Sequence, residues 1–418
     1  MASFFFIAIL NKNRQKIFYY LLKLNFMKEK DSQKTKQALD RGVLKIYPDK
    51  KSLEKVLLSK RKLKIYNGID PTGQLHLGHA VVFRKLRQFQ NLGHHIIILI
   101  GDFTATIGDP TGKSVVRRPL SRQQVLNNAS NYKKQIAKFL DFKKPNVEFL
   151  YNSQWINKLK SQDIIKITSF FTVARLLERD MFQERIKKGR DIHLHEFIYP
   201  VFQAYDSLAM DIDMELGGND QMFNMMQGRA LMKAVKNKEK FVMTLKLLTD
   251  PSGKKMGKSE KNSILLSEQP DRMFGKIMSW PDSFLKISFE LFTDLSFESI
   301  EEMLKNPRQA KAELAKEIVS MCYSRQKALA AEKEFNKVFQ KKELPSKIKQ
   351  VCIKSKSLNI LDLLFQAKLV SSKGEAKRLI LQKGVKIDGK VQNDWKKNIR
   401  LSKGMIIQVG KRKFIKIV

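Results

Sequence analysis

The segment from Lys64 to Phe89 constrains the fold most. A β-forming run, Lys64-Ile65-Tyr66, meets Gly68, Pro71 and Gly73, which break it into a loop. Apolar residues then recur at helical spacing through Val81, Val82, Phe83, Leu86 and Phe89. A strand, a glycine-containing loop and a helix in that order open an α/β sheet. His76 and His79 flank Gly78 on one side of the helix start. Free backbone N–H groups and the helix dipole favour an anion there, and glycine lets a ligand come close to the backbone. Four residues of this kind also arise as helix caps or satisfied core histidines, so their meaning depends on the rest of the chain.

The next element supports a parallel sheet. Ile96-Ile97-Ile98-Leu99-Ile100 is an unbroken apolar run, the mark of a strand covered on both faces. It leads into Gly108-Asp109-Pro110-Thr111-Gly112-Lys113-Ser114, which is not a Walker A loop because Ile107 stands where that motif needs glycine. Lys113, Arg117 and Arg118 still make the loop basic, as a triphosphate site requires. Residues 121–145 predict a helix, Val147–Tyr151 a strand, Thr172–Arg179 a helix, and Asp211–Glu215 a strand entering Gly217-Gly218-Asn219-Asp220-Gln221. Asp220 suits either a ribose contact or a helix cap. Tyr199, Gln203 and Asp206 share one helix face, as a pocket wall or a solvated stripe. Far downstream, Lys255-Met256-Gly257-Lys258-Ser259 forms a basic loop.

Charge points to a polyanion. Lys plus Arg total 80 against 41 Asp plus Glu, a net charge of +39, which implies nucleic acid first and a membrane surface second; AT-rich codon usage contributes to the excess. The cysteines are Cys322 and Cys352, with no Cys-x-x-Cys, so zinc is not expected and a reducing compartment fits. His193 and His195 lack supporting ligands nearby in sequence and read as structural.

The domain reading follows composition. Residues 1–32 look like an extension, either targeting or preceding a true start at Met27, with no apolar run of membrane-spanning length. Residues 33–262 form the sheet domain, with an insertion at about 120–215. Residues 263–340 are helical, and 341–356 form a basic linker containing Pro345. From residue 357 a small basic module begins: Ser372-x-x-Glu375 predicts a capping box, Asp388-Gly389 a hairpin turn, and Met405–Val409 and Phe414–Val418 two strands.

His76-Leu77-Gly78-His79 and Lys255-Met256-Gly257-Lys258-Ser259 together resemble the two signatures of class I aminoacyl-tRNA synthetases, in the same order and at a similar separation. Tyr199-Pro-Val-Phe-Gln203-Ala-Tyr-Asp206 narrows this to the tyrosyl-tRNA synthetases, in the bacterial form whose tail is similar to the fourth protein of the small ribosomal subunit (S-four-like). The resemblance runs over most of residues 40–418. It implies a Rossmann-type catalytic domain with an inserted segment, then a helical anticodon-region domain and a small α+β RNA-binding domain. It implies activation of L-tyrosine by ATP with Mg²⁺ and transfer to tRNA(Tyr), by a cytoplasmic homodimer, or an organellar one if the extension is a presequence.

Residue by residue, the resemblance assigns Tyr66 and Asp206 to the substrate phenol. Tyr199, Gln203 and Asp109 go to its ammonium group, and Gln221 lies near its carboxylate. Gly68, Asp70, Gly78, Gly218 and Asp220 contact the nucleotide, which His79 helps to seat. Thr72, His76, Lys113, Arg117, Lys255, Lys258 and Ser259 surround the triphosphate. Two departures stand out: the loop between Thr72 and His76 is one residue shorter than is usual, and Gly257 occupies a position where the generic motif has serine. A tryptophanyl-tRNA synthetase would share the loops, but Tyr66, Asp206 and the tail argue against it. A non-catalytic RNA-binding protein on the same scaffold would not need the charged groups of both loops.

Overall fold

The computed structural model describes residues 31–59, 61–110, 120–249, 263–341, 343–346, 348–410 and 413–418. Two compact units meet in sequence at Arg325–Gln326.

The first unit is built on six strands: β1 (Val43–Tyr47), β2 (Lys64–Ile69), β3 (His95–Ile100), β4 (Val147–Tyr151), β5 (Met214–Gly218) and β6 (Phe241–Leu245). Their spatial order is β1-β6-β5-β2-β3-β4, all parallel except β1 against β6. From β2 the chain winds outward through β3 and β4, then returns to β5 and winds the other way. The crevice beyond the carboxyl ends of β2 and β5 is therefore the switch point where such sheets bind ligands. The apolar run became β3, whose residues Ile96 to Ile100 are all buried. β5 starts three residues later than the alternation at Asp211–Glu215 predicts, because it is covered on both faces and alternation is the wrong signal for such a strand.

Helix α1 (Leu77–Asn91) buries Leu77, Ala80, Phe83, Leu86 and Phe89 at the predicted spacing. Each of the two phenylalanines contributes about 2–3 kcal/mol by leaving water. The helix predicted over 121–145 is instead two short helices, Arg122–Ala129 and Tyr132–Ile136. They reach back to the loop after β2. Asn128 Nδ2 donates to the Pro71 carbonyl at 2.8 Å, and the Tyr132 hydroxyl donates to that of Gly73. Helices Pro270–Met278, Leu285–Phe292, Phe297–Leu304 and Pro307–Cys322 pack within this same unit. Arg41 donates to the Phe289 and Glu290 carbonyls, and Lys246 pairs with Glu290 at 2.8 Å.

His94, ahead of β3, is 2% exposed and its Nδ1 accepts from Leu63 N–H at 3.3 Å. Burial, with Lys62 nearby, pushes the imidazole down from 6.5 to about 4. The folded state thus holds His94 neutral. Its contribution is complete above about pH 6.5 and is lost as pH falls toward 4, by about 2 kcal/mol at pH 5. We expect His94→Asn, which keeps an acceptor near Nδ1, to remove that part of the stability change. Urea midpoints at pH 7 and pH 5 for both proteins test this, and an equal drop in both would refute it.

In the second unit a five-stranded sheet runs β10-β9-β12-β13-β7, beside a two-stranded pair of β11 and β8. These are β7 (Lys349–Val351), β8 (Ser357–Asn359), β9 (Val385–Ile387), β10 (Lys390–Val391), β11 (Asn398–Arg400), β12 (Ile406–Val409) and β13 (Lys413–Ile417). Residues 341–356 read in sequence as a linker, yet β7 pairs in parallel with β13 inside them. Three residues, Lys349-Gln350-Val351, are too short a run to register as a strand. Asp388 and Gly389 both take positive φ, 44° and 80°, in the predicted hairpin turn. Ser372 caps the helix Lys373–Leu381 as expected, but Glu375 reaches Ser371 N–H instead of closing the box on Ser372.

Candidate active site

Six pieces of chain converge at the switch point. β2 delivers Tyr66 and Gly68, and Asp70 follows it. β5 ends at Gly218 and leads to Asp220 and Gln221. Helix α1 presents His76, Gly78 and His79 at its start. The Thr72 loop and Asp109 approach from the β2 and β3 exits. Helix α2 (Leu194–Ala209) contributes Tyr199, Gln203 and Asp206 from one face. Every one of these residues lines a single cavity of about 440 Å³. Lys113, Arg117, Lys255, Lys258 and Ser259 lie outside the described residues.

The histidine turn is set by its own backbone. His76 is the N-cap of α1 and its Nδ1 accepts from Gly78 N–H at 3.1 Å. His79 Nδ1 accepts from His76 N–H at 3.2 Å, and the ring centroids are 4.1 Å apart. With both Nδ1 atoms accepting, each neutral ring carries its proton on Nε2. A Cβ at Gly78 would stand 2.9 Å from His76 Cε1, so only glycine leaves the first ring in place. The chain after residue 262 is tied to this turn: Leu77 N–H donates to the Ile264 carbonyl at 3.0 Å, and Leu266 N–H to that of Leu75 at 2.9 Å. Before residue 250, Leu247 and Leu248 line the cavity wall.

The other end of the cavity is a buried polar network. Asp206 is 3% exposed. Its Oδ1 accepts from Trp155 Nε1 at 2.8 Å and its Oδ2 from Asn152 Nδ2 at 3.2 Å. Burial pushes its carboxyl well above the usual carboxylate range, and those two donors offset part of the rise. Burial likewise raises the Tyr66 and Tyr199 phenols well above 10, so both stay protonated donors. Tyr199 donates to Asp70 Oδ2 at 3.0 Å, while Thr104 donates to Oδ1 at 2.8 Å. Gln221 Nε2 donates to Asp109 Oδ2 at 2.7 Å, and Arg179 lies 3.8 Å from the other oxygen.

Sequence reasoning missed Thr104, Asn152, Trp155, Arg179, Ser207, Glu215 and Lys240, which hold the expected residues in place. Asn152 follows β4 directly, so a polar residue at the carboxyl end of a parallel strand was the available signal. A charged Glu215 inside an apolar strand was another.

A doubly wound sheet with a His-x-Gly-His turn over its switch point fits a class I tRNA synthetase. The profile of tRNA synthetases class I (W and Y) matches residues 58–340, and that of the tyrosine–tRNA ligase SYY-like C-terminal domain matches 334–417. The chain belongs to the tyrosine–tRNA ligase family. It is 44% identical over 400 residues to the tyrosine–tRNA ligase of Carboxydothermus hydrogenoformans, covering 91% of this chain and 97% of that one. Against the ligase of Haemophilus ducreyi the values are 45% over 390 residues, 91% and 96%. Among solved structures, a truncated mitochondrial tyrosyl-tRNA synthetase of Coccidioides posadasii shares the fold at a TM-score of 0.61 and 22% identity, covering 76% of this chain and 98% of that one. A tyrosyl-tRNA synthetase of Archaeoglobus fulgidus, solved with L-tyrosine, does so at 0.58 and 20%, covering 72% and 100%. No helix among the described residues is long and apolar enough to cross a membrane.

Proposed function

We propose that the chain activates L-tyrosine with ATP and transfers it to tRNA(Tyr). The observation that carries this reading is the pairing, in one cavity, of a buried carboxylate and phenol (Asp206 and Tyr66) with a histidine turn at a helix start. The first pair suits a phenol, and the second suits phosphate. ATP enters as its Mg²⁺ complex, the ion carried by the phosphates.

In the first step the tyrosine carboxylate attacks the α-phosphate and pyrophosphate leaves. In the second, a ribose hydroxyl at the tRNA end attacks the adenylate carbonyl and AMP leaves. Neither step needs a protein nucleophile. Asp206 and Tyr66 hold the phenol, and Tyr199, Gln203 and Asp109 the ammonium, with Gln221 beside the carboxylate. Gly68, Asp70, Gly78, Gly218 and Asp220 follow the nucleotide. Thr72, His76, His79, Lys113, Arg117, Lys255, Lys258 and Ser259 act on the phosphates, where charge develops as the bond to pyrophosphate breaks. The ties on Pro71 and Gly73 support Thr72 in this role despite its short loop. The basic second unit fits RNA. Exposed Ile165, Phe170, Val173 and Leu194 on the inserted segment fit a homodimer contact. The reaction belongs where tRNA is charged for translation, in the cytoplasm, or in an organelle if residues 1–32 are a presequence.

Exchange of pyrophosphate into ATP tests the reading, with tyrosine, phenylalanine and tryptophan supplied in parallel without tRNA. Exchange with tyrosine alone is expected; exchange with tryptophan would reassign the pocket, and none with any would remove the activity. Lys258→Ala should lower the exchange rate by roughly 100-fold, the scale of one lost transition-state contact, while tyrosine binding by equilibrium dialysis stays within about twofold. Equal loss of both would contradict the phosphate role.

A further inference from the structure

Beside the cavity lies an ion pair that neither signature loop contains. Lys240, just before β6, is fully buried. Its Nζ donates to Glu215, to Ser207 Oγ at 2.7 Å and to the Met225 carbonyl at 3.3 Å. Three acceptors account for the three protons of an ammonium. Glu215 is 2% exposed, lines the cavity and stands opposite Tyr66 in the β2–β5 register. Its second oxygen accepts from Gln203 Nε2 at 3.0 Å. Ser207 Oγ, held by the same ammonium, lies 3.1 Å from the Tyr66 hydroxyl.

The chemistry fixes one orientation. An ionised carboxylate only accepts, so the Gln203 amide must turn its NH₂ toward Glu215. That leaves Gln203 Oε1, a buried acceptor with no hydrogen-bond partner among the described residues, for the cavity that Gln203 lines. Helix α3 (Met222–Lys236) is shaped around the ammonium: a Cβ at Gly228 would stand 2.5 Å from Lys240 Nζ and 2.9 Å from Ser207 Oγ. A glycine inside a helix weakens it, and here it supplies the volume the charge occupies. Stability alone does not account for the pair, since buried ion pairs are commonly matched by apolar residues of similar size.

We propose that Lys240 and Glu215 are positioning residues for the amino-acid substrate: Glu215 turns the Gln203 amide oxygen toward the tyrosine ammonium, and Lys240 fixes Glu215 and, through Ser207, the Tyr66 hydroxyl. This rests on the tyrosine-activating reading above.

The test is pyrophosphate exchange by the full chain, with KM for tyrosine and for ATP measured separately. Lys240→Met should raise the tyrosine KM by about tenfold, the scale of one lost bond to a charged group, and move the ATP KM less than twofold. The double variant Glu215→Gln with Lys240→Met leaves no lone buried charge but also removes the accept-only oxygen that orients Gln203, so the tyrosine KM should stay raised. Gly228→Ala crowds the ammonium without removing a charge, so it should raise the tyrosine KM as well, and it carries the test if Lys240→Met does not fold. Equal movement of both KM values, no movement, or recovery of the tyrosine KM in the double variant would overturn the proposal. A wild-type chain with no tyrosine-dependent exchange would instead remove the reading on which it rests.

Discussion

Asp206→Asn is expected to lower kcat/KM for tyrosine on the order of 1000-fold in pyrophosphate exchange, mostly through KM, with the ATP KM little changed. Both Asp206 oxygens already accept bonds from N–H donors, Trp155 Nε1 and Asn152 Nδ2. An asparagine must turn its NH₂ toward one of them, setting donor against donor in a site that is 3% exposed. One bond is lost, one buried donor is left unsatisfied, and the phenol meets a weaker acceptor. Each of these costs about 1–3 kcal/mol, and together they reach the expected factor. Discrimination against phenylalanine should fall in parallel, because rejection depends on polar groups that phenylalanine leaves unpaired. Exchange with both amino acids, on protein whose circular dichroism matches wild type, decides it. A loss below tenfold with discrimination intact would show that Asp206 does not face the phenol.

The sequence carried the fold where one element could be read locally. The apolar run at Ile96 was enough for β3, and the spacing of Phe83, Leu86 and Phe89 for α1, because burial on two faces and on one stripe leave different periods. It did not carry β7, or the break within 121–145, which depend on pairings made far along the chain. The site divides in the same way. His76 and His79, or Tyr199, Gln203 and Asp206, fall within single elements, and their spacing shows that they share a side. Asn152 and Lys240 become partners of that site only when β4 and β6 are laid beside their neighbours, and no local pattern ties either to Asp206 or Glu215. What was legible was the set of groups proposed to face substrate. What was not legible was the set that holds them still.

Gly101→Ala tests that second set, and the expected result is a fall of roughly 100-fold in tyrosine activation. Gly101 follows β3 directly and lines the cavity, with no place in any motif. Its φ is ordinary, so the argument is space alone. An added Cβ would stand 2.1 Å from Asp70 Oδ1 and 2.3 Å from Thr104 Oγ1. Something must move, and the backbone of β3 is pinned between β2 and β4. Asp70 is the mobile party, but its two oxygens take the Thr104 and Tyr199 hydroxyls, and Tyr199 is buried. Displacing the carboxylate unseats both hydroxyls, so kcat should fall and KM for tyrosine and for ATP should rise together, since Asp70 stands between the proposed ammonium and nucleotide contacts. A thermal scan should show a loss of about 2–3 kcal/mol. Gly275→Ala is the control: it lies inside Pro270–Met278 with nothing within 4 Å of an added Cβ, so it should leave activity unchanged and stabilise slightly. A Gly101→Ala enzyme with wild-type exchange would mean that Asp70 can shift without cost, and that its contact with Tyr199 does not hold the amino-acid pocket in shape.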